Sequence, residues 1–309
     1  MVMMSIILFT VCSLLTLSAE ACRLRLGNVP LLNFNGSSGA GYESFDSTNY
    51  PQPVPLTITN NRRQACDYFI TFSEGSSGTF NRTLRSGPNT LNYQLYDQAS
   101  QASILKDLPV AAVNEVLNGR FTGRGNQQLS FYLVIPIEQV VRPGTYTDTV
   151  TLTVYTGNLT NNTQQRTRTL TISITVLEQI DLSLVNPGTG FNPTLTSRLI
   201  DFGILQAGKF SDFDLRVRSN IGYSITLSSQ NQGNMAHIDP TDTSRIPYLF
   251  TANGSNVDLS GPSTTVINTP LVTSSLGTPY PMRVTVGTIN NASAGDYQDN
   301  ITITIIAGP

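Results

Sequence analysis

The sequence contains no tryptophan, one histidine and three cysteines, and only 12% of its 309 residues are charged. The single histidine, His237, has no Cys-His, Ser-His-Asp or metal-ligand spacing around it, which excludes the common nucleophilic and metal-dependent enzyme chemistries. A net charge of −2 and the lack of a basic run argue against nucleic acid or an anionic membrane as a partner. No long amphipathic helical pattern is present, whereas Thr, Ser, Asn and Gly are abundant. We therefore expect a non-enzymatic, cofactor-free, all-β protein.

A ten-residue phrase occurs twice, about 150 residues apart. Residues 144–153 read Gly-Thr-Tyr-Thr-Asp-Thr-Val-Thr-Leu-Thr, and residues 295–304 read Gly-Asp-Tyr-Gln-Asp-Asn-Ile-Thr-Ile-Thr. Both copies alternate in polarity with the period of a β-strand, and the opening glycine suits a tight turn into that strand. Two copies, each near the end of a domain-sized segment, predict a tandem domain duplication. The expected division is a signal peptide over 1–21, an N-terminal domain over 22–178 and a C-terminal domain over 179–309.

The start of the chain and its cysteines indicate export. An apolar run over 6–17 precedes Ala19-Glu20-Ala21, which is a plausible signal-peptidase site that leaves Cys22 first. The run is too short for a membrane anchor, and the residues before Cys22 make a poor lipidation site. Cys12 leaves with the signal, so the two remaining cysteines, Cys22 and Cys66, are expected to form a disulfide in an oxidising compartment. A two-cysteine metal site is the weaker alternative.

The two copies of the phrase are followed by different sequence. After the first copy, a polar turn leads to a second alternating segment, 169–176, whose Leu170, Ile172, Ile174 and Val176 can return as a hairpin partner. After the second copy only residues 305–309 remain. We therefore predict that the C-terminal domain is an incomplete sandwich with an apolar groove that must be filled by a strand from another protein. The residues assigned to this acceptor groove are Tyr297, Ile301, Ile303 and Ile305.

Several segments resemble one known family. In the N-terminal part they are 91–96, 135–136 and 141–150, and in the C-terminal part they are 201–203, 218–223, 233–237 and 246–248. The series resembles the spore coat protein U domain, which is the pilin domain of archaic chaperone–usher pili. The resemblance implies two immunoglobulin-like β-sandwich domains, the second lacking its last strand. The partners that it implies are a periplasmic chaperone, an outer-membrane usher and a neighbouring pilin that donates a strand.

A two-domain member of this family is similar to the tip adhesin of a Csu-type pilus. With Cys22 already at the first expected strand, no spare strand is left to donate, so we expect the protein to cap the fibre. The resemblance implies export through the periplasm, display at the cell surface, attachment to surfaces and biofilm formation. The alternatives are a structural pilus or coat subunit, and an adhesin that binds a glycan.

Strand directions predict which loops lie at the end of the N-terminal domain opposite the linker. With strands placed at 54–59, 68–72, 91–96 and 129–135, these distal loops are 60–65, 97–128 and 157–166. Within the long loop, 104–113 is unusually apolar, and the resemblance to Csu-type tip adhesins implies that it forms an exposed contact surface for apolar material or an unknown receptor. The equally weighted alternative is that this segment covers the sandwich. The residues assigned to the surface-binding loop are Ile104, Leu105, Leu108, Val110 and Val113.

Overall fold

The computed structural model describes residues 22–29 and 31–308, so the predicted signal peptide, 1–21, lies outside the described residues. Within the described part the regular secondary structure is nearly all β-strand, with two short 3-10 turns at Gly75–Ser77 and Val113–Glu115. None of these described helical turns approaches the length or apolarity that crossing a membrane requires.

Two β-sheets form the N-terminal sandwich. One has the strand order β1-β3-β9-β7, and the other has the order β2-β11-β10-β4-β8, with β5 and β6 attached to β10. This agrees with the immunoglobulin-like fold that the sequence predicts. In that fold strands B, E and D share one sheet, and here they are β3, β9 and β7. The strands are β1 Leu24–Leu26, β2 Leu32–Phe34, β3 Gln52–Asn60, β4 Cys66–Phe72, β5 Thr83–Ser86, β6 Asn89–Asn92, β7 Gln94–Tyr96, β8 Leu117–Phe121, β9 Gly125–Val134, β10 Gly144–Gly157 and β11 Asn162–Val176.

The C-terminal sandwich has one large and one small sheet. The large sheet has the order β12-β13-β19-β16-β15-β20, with β17 attached to β16, and the small sheet has the order β18-β14-β21. The strands are β12 Ile180–Val185, β13 Phe210–Ser219, β14 Tyr223–Ser229, β15 Asn234–His237, β16 Arg245–Ala252, β17 Ser255–Val257, β18 Thr264–Thr269, β19 Thr278–Val286, β20 Tyr297–Gln298 and β21 Ile301–Ala307.

The alternation of apolar and polar residues along the strands produces the two cores. On β3, Val54, Leu56 and Ile58 point inward and are almost fully buried, while the residues between them face outward. The buried side chains of both N-terminal sheets form one continuous cluster, and β13, β14, β16 and β19 contribute to a separate cluster in the C-terminal sandwich. The molecule therefore has two cores, one on each side of residues 177–179.

Two of the predicted distal loops are shorter than expected. The segment 97–128 contains β8 and the start of β9, and 157–166 is mostly strand because β11 begins at Asn162. The hairpin between β10 and β11 is tighter than the polar composition indicates, because Asn158 closes it by accepting backbone hydrogen bonds from Thr160 and Asn161. The true distal connections are residues 61–65, 122–124 and 158–161.

The joint between the sandwiches is built around the Asn220 side chain. Its Nδ2 donates to the Leu177 carbonyl at 2.7 Å, and its Oδ1 accepts from the Gln179 amide at 2.9 Å. The Gln179 side chain in turn accepts from the Phe45 amide, at 3.3 Å. Residues 177–179 are thus fixed to both sandwiches by hydrogen bonds.

Candidate functional site

The repeated phrase forms the same corner in each sandwich. The Tyr146 hydroxyl donates to the Arg142 carbonyl at 2.8 Å, and the Tyr297 hydroxyl donates to the Ser293 carbonyl at the same distance. A tyrosine that bonds to the backbone a few residues upstream, at the entry to the sixth strand, is characteristic of immunoglobulin-like folds. Gly295 has a φ of 154°, and a Cβ at this position would collide with the His237 ring. Gly295 is therefore required by a close approach as well as by its conformation.

The aspartate of the phrase connects each corner by hydrogen bonds to a turn. This turn follows β4 in the N-terminal sandwich and β14 in the C-terminal one. Asp148 accepts from the Tyr93 hydroxyl at 2.5 Å and from the Ser76 amide at 2.9 Å. Asp299 accepts from the Tyr248 hydroxyl at 2.5 Å and from the Asn231 amide at 2.9 Å.

Burial raises the pKa of both tyrosines, and the aspartate that accepts from each hydroxyl raises it further. The carboxylates are therefore structural acceptors. Sequence reasoning found the repeated aspartate but not this role, because its partners are distant in sequence.

The strand after the first copy fills the N-terminal sandwich. β11 pairs antiparallel with β10 along its whole length, and Leu170, Ile172, Ile174 and Val176 are 0–2% exposed. On its other side β11 pairs in parallel with β2, where Ile172 lies opposite Leu32. Removing these four side chains from water contributes roughly 6–12 kcal/mol to the free energy of folding of this sandwich, at about 1.5–3 kcal/mol each.

The corresponding place in the C-terminal sandwich is open. Among the described residues, β21 pairs only with β14 and leaves its other edge without a strand. A cavity of about 1090 Å³ lies beside it, and Ile301 and Ile303 of β21 are only half-buried there. We call this cavity the acceptor groove. Its other lining residues include Leu182 and Leu184 of β12, the segment 200–205, and Tyr297.

The structure thus brings together Tyr297, Ile301 and Ile303 of the predicted acceptor set on one cavity. Ile305, the fourth member, packs against the same core but does not line the cavity.

A second edge of the acceptor groove was missed from the sequence. Ile200 and Phe202 line it half-buried, with the exposed Asp201 between them and no strand partner within the described chain. The sequence Leu32-Asn33-Phe34 has the same apolar-polar-aromatic pattern, and there it is β2, the parallel neighbour of β11. The shared pattern is the signal that could have identified 200–202 as the counterpart of β2.

The apolar loop lies on the side of the N-terminal sandwich. Leu105 is 0% exposed, and its carbonyl accepts from the buried Arg82 guanidinium at 2.7 Å. Arg82 also donates to the carbonyls of Phe72 and Ser73, and burial lowers its pKa to about 10. The assignment of Leu105 to a contact surface is therefore wrong, because a buried cation holds this part of the loop inside the fold.

The remaining residues of the loop divide between packing and exposure. Leu108 packs on the outer face of β4 against Phe69, and Ile104 is half-buried beside Tyr96. Val110 and Val113 are 61% and 67% exposed. A cavity of about 400 Å³ lies beside Val113, with Phe69, Val116 and Leu159 among its lining residues. These two valines are the part of the predicted loop that is open to contact.

The predicted disulfide between Cys22 and Cys66 is confirmed, with the two Cα atoms 6.3 Å apart. It closes the distal end of the N-terminal sandwich. Beside it the buried Asn60 side chain donates to the carbonyls of Gln64 and Gly123, at 2.9 and 3.1 Å. The disulfide and Asn60 together hold the distal connections in one arrangement.

His237 and the nearby acidic residues form turns. The His237 ring accepts from the Asp239 amide at 3.1 Å and packs edge-on against Tyr297. Asp242 accepts from the Ser244 amide at 2.7 Å, and hydrogen bonds from Ser244 lower its pKa to about 2. In the part of the chain that the structure describes, no group of three or more His, Cys, Asp or Glu side chains is placed to hold a metal ion.

Comparisons with known proteins give one family match and several fold likenesses. Residues 9–153 match the model of the Spore Coat Protein U domain, which confirms the resemblance for the N-terminal part of the chain. This family is structural or adhesive and not enzymatic. The second copy of the phrase lies outside the matched residues. No curated protein matches the chain in sequence.

Three solved structures illustrate the likenesses. The chaperone–tip adhesion subunit complex of Csu pili from Acinetobacter baumannii is 13% identical, with a TM-score of 0.42, over 84% of this chain and 91% of that one. The adhesive subunit of CFA/I fimbria of enterotoxigenic Escherichia coli is 15% identical, with a TM-score of 0.37, over 91% and 93%. The CupB6 tip adhesin from Pseudomonas aeruginosa is 10% identical, with a TM-score of 0.36, over 92% of both chains. At these identities and scores the likenesses carry no functional conclusion.

Proposed function

Because this chain carries a spore coat protein U domain, we propose that it is an adhesive subunit of a chaperone–usher pilus, joined to the fibre through the acceptor groove. The observation that carries the proposal is the contrast between the two sandwiches. The place that β11 fills in the N-terminal sandwich is an open cavity of about 1090 Å³ in the C-terminal one. An open edge beside half-buried isoleucines favours addition of a strand from another chain.

The N-terminal sandwich supplies a template for that strand. The four inward residues of β11 lie opposite positions 144, 146, 148 and 150 of the first phrase. The same offsets in the second phrase are occupied by Gly295, Tyr297, Asp299 and Ile301. An incoming strand that copies β11 would run antiparallel to β21 and parallel to 200–202. Its four inward residues would be apolar and its outward residues polar. The partner is therefore a segment with alternating apolar side chains, supplied by a periplasmic chaperone during export and by the next pilin subunit in the fibre.

A strand fusion tests this proposal. A copy of residues 158–176, which contains the turn and all of β11, is appended after residue 309, so that the strand can return beside β21 in the register of the N-terminal sandwich. We expect a soluble monomer whose C-terminal sandwich is stabilised, because four apolar side chains enter the groove. The control fusion carries serine at the positions of Leu170, Ile172, Ile174 and Val176. Equal stability of the two fusions, or of the fusion and the unmodified chain, would refute the acceptor role.

The exposed part of the apolar loop, on the side of the N-terminal sandwich, is the proposed adhesive surface, and Val110 and Val113 are its proposed apolar contacts. Contact through apolar area alone needs no specific polar partner and so tolerates many surfaces, as biofilm formation on solids requires. Display of the N-terminal sandwich at the pilus tip, outside the cell and after assembly by an outer-membrane usher, is part of the same proposal. The alternative of a purely structural subunit assigns no role to these valines.

Attachment of assembled pili to polystyrene tests the adhesive role. We expect Val110→Ser combined with Val113→Ser to reduce attachment while pili still assemble, because both side chains are largely exposed. The matched control is Leu271→Ser combined with Leu276→Ser, since these are 68% and 72% exposed on the C-terminal sandwich. If the valine variant attaches like the wild type, or the control loses as much, the valines are not the contact surface.

A further inference from the structure

The distal end of the N-terminal sandwich collects arginines from separate parts of the sequence. They come from the start of the chain, the connection after β3, and the β8–β9 hairpin, which the disulfide and the pairing of β1, β3, β4, β8 and β9 bring together. The set, called the arginine end here, is Arg23, Arg25, Arg62, Arg63, Arg120 and Arg124.

The arginine end is strongly basic although the chain as a whole is acidic. In the segments that form it, 22–28, 57–67 and 118–128, Asp67 is the one acidic residue. Six guanidinium groups against this carboxylate give a net charge of +5, whereas the whole chain carries −2. Asp67 pairs with Arg120 at 2.9 Å, and that pair is solvent-exposed. Counting charges along the sequence missed this surface, because the fold assembles it from three segments.

From this surface we infer that the protein binds an anionic polysaccharide, one that bears sulfate or carboxylate groups. All six cations are arginines, whose planar fork binds two oxygens of an oxyanion at once. Exposed carboxamides lie among them, including Gln64, Asn126 and Gln128. A sugar polymer supplies both the oxyanions that guanidinium groups bind and the hydroxyl groups that carboxamides bind.

Two other classes of anionic partner fit the surface less well. Single-stranded nucleic acid is held largely by stacking on aromatic side chains. The aromatic residues of the arginine end, Tyr68 and Phe121, are both buried within the described structure. Anionic membranes favour a basic amphipathic helix, and the described residues here are strands and turns. This inference goes beyond the proposed pilus function, because it requires only the folded N-terminal sandwich.

Binding of the full chain to immobilised dextran sulfate and alginate tests the inference, with uncharged dextran, a DNA duplex and anionic lipid vesicles as comparisons. We expect binding to at least one charged polysaccharide that weakens as sodium chloride rises from roughly 50 to 300 mM. The sulfated and uronate polymers distinguish which oxyanion is preferred. Each ionic contact adds about 0.7–0.9 to the slope of log affinity against log salt concentration, by analogy with counterion release from nucleic acids.

The variant Arg63→Gln with Arg124→Gln should bind roughly tenfold more weakly at about 50 mM salt, with a slope reduced by about 1.5. The control, Arg85→Gln with Arg245→Gln, removes the same charge at exposed positions elsewhere and should bind like the wild type. The inference is overturned if the wild type binds neither charged polymer, if uncharged dextran binds equally, or if both variants lose affinity alike. Tighter binding to the DNA duplex or the vesicles would overturn the choice of a polysaccharide.

Discussion

Leu152 and Ile303 occupy the same offset in the two copies of the repeated phrase, and replacing them with alanine should have unequal effects. Leu152 is fully buried in the N-terminal core, on the strand next to β11, so Leu152→Ala leaves a cavity and should lower the free energy of unfolding by about 2–5 kcal/mol. Ile303 is half-buried and faces the acceptor groove. Since part of its surface already contacts solvent, Ile303→Ala should cost only about 1–2 kcal/mol.

The strand fusion should remove this inequality. With the appended strand in the acceptor groove, Ile303 is covered as Leu152 is, and its replacement should then cost about 2–5 kcal/mol. Hydrogen–deuterium exchange resolved by peptide measures the opening free energy of β10 and β21 separately, which is needed because the two sandwiches have separate cores. If Ile303→Ala has the same cost with and without the appended strand, the groove does not receive it. A cost above that of Leu152→Ala in the unmodified chain would contradict the packing argument itself.

Three further predictions concern the fold around the site. Arg82→Met leaves three buried carbonyls without their donor, including that of Leu105, so urea unfolding should report a loss of about 3 kcal/mol or more with faster exchange at 103–106. Unchanged exchange there would contradict the anchoring role. Cys66→Ser opens a 44-residue loop and should lower the free energy of unfolding of the N-terminal sandwich alone by about 3–4 kcal/mol. An equal loss in both sandwiches would contradict this prediction. The pKa of Asp242 is lowered to about 2, so the turn it stabilises should be intact above about pH 4 and open as pH falls through 2. The Ser244 amide shift in an NMR pH titration reports this, and a midpoint near the ordinary value of 3.8 would contradict it.

Local alternation and short-range turns made much of the fold predictable. The positions of β3, β9 and β10 follow from side chains that alternate between core and solvent, which the sequence displays directly. The return of the chain beside the first phrase was also predictable, because Leu170, Ile172, Ile174 and Val176 alternate with polar residues. The pairing of Cys22 with Cys66 followed from the expectation that Cys12 leaves with a signal peptide, which leaves two cysteines.

The rest depends on contacts between residues far apart in the chain. Whether Leu105 is exposed is decided by Arg82, whose guanidinium needs buried carbonyls as acceptors. The partners of Asp299 come from β14, β16 and the turn after β14, and no local pattern connects them. A count of charges along the sequence does not reveal the arginine end, because three separate segments contribute to it. Periodicity reports which face a residue takes, but not what lies opposite that face.

The hydrogen-bonded joint at 177–179 has a mechanical consequence. A pull on the N-terminal sandwich passes along β11 and the backbone of residues 177–179, which the Asn220 side chain binds, into Ile180, the first residue of β12. β12 lies antiparallel to β13 along all six of its residues. Tension directed along β12 therefore loads these pairs in shear, so that they must break together and not one after another. Resistance to forced unfolding is a rate and not an equilibrium property, and a strand loaded in shear slows that rate. The joint therefore lets the two sandwiches bear tension as one connected unit.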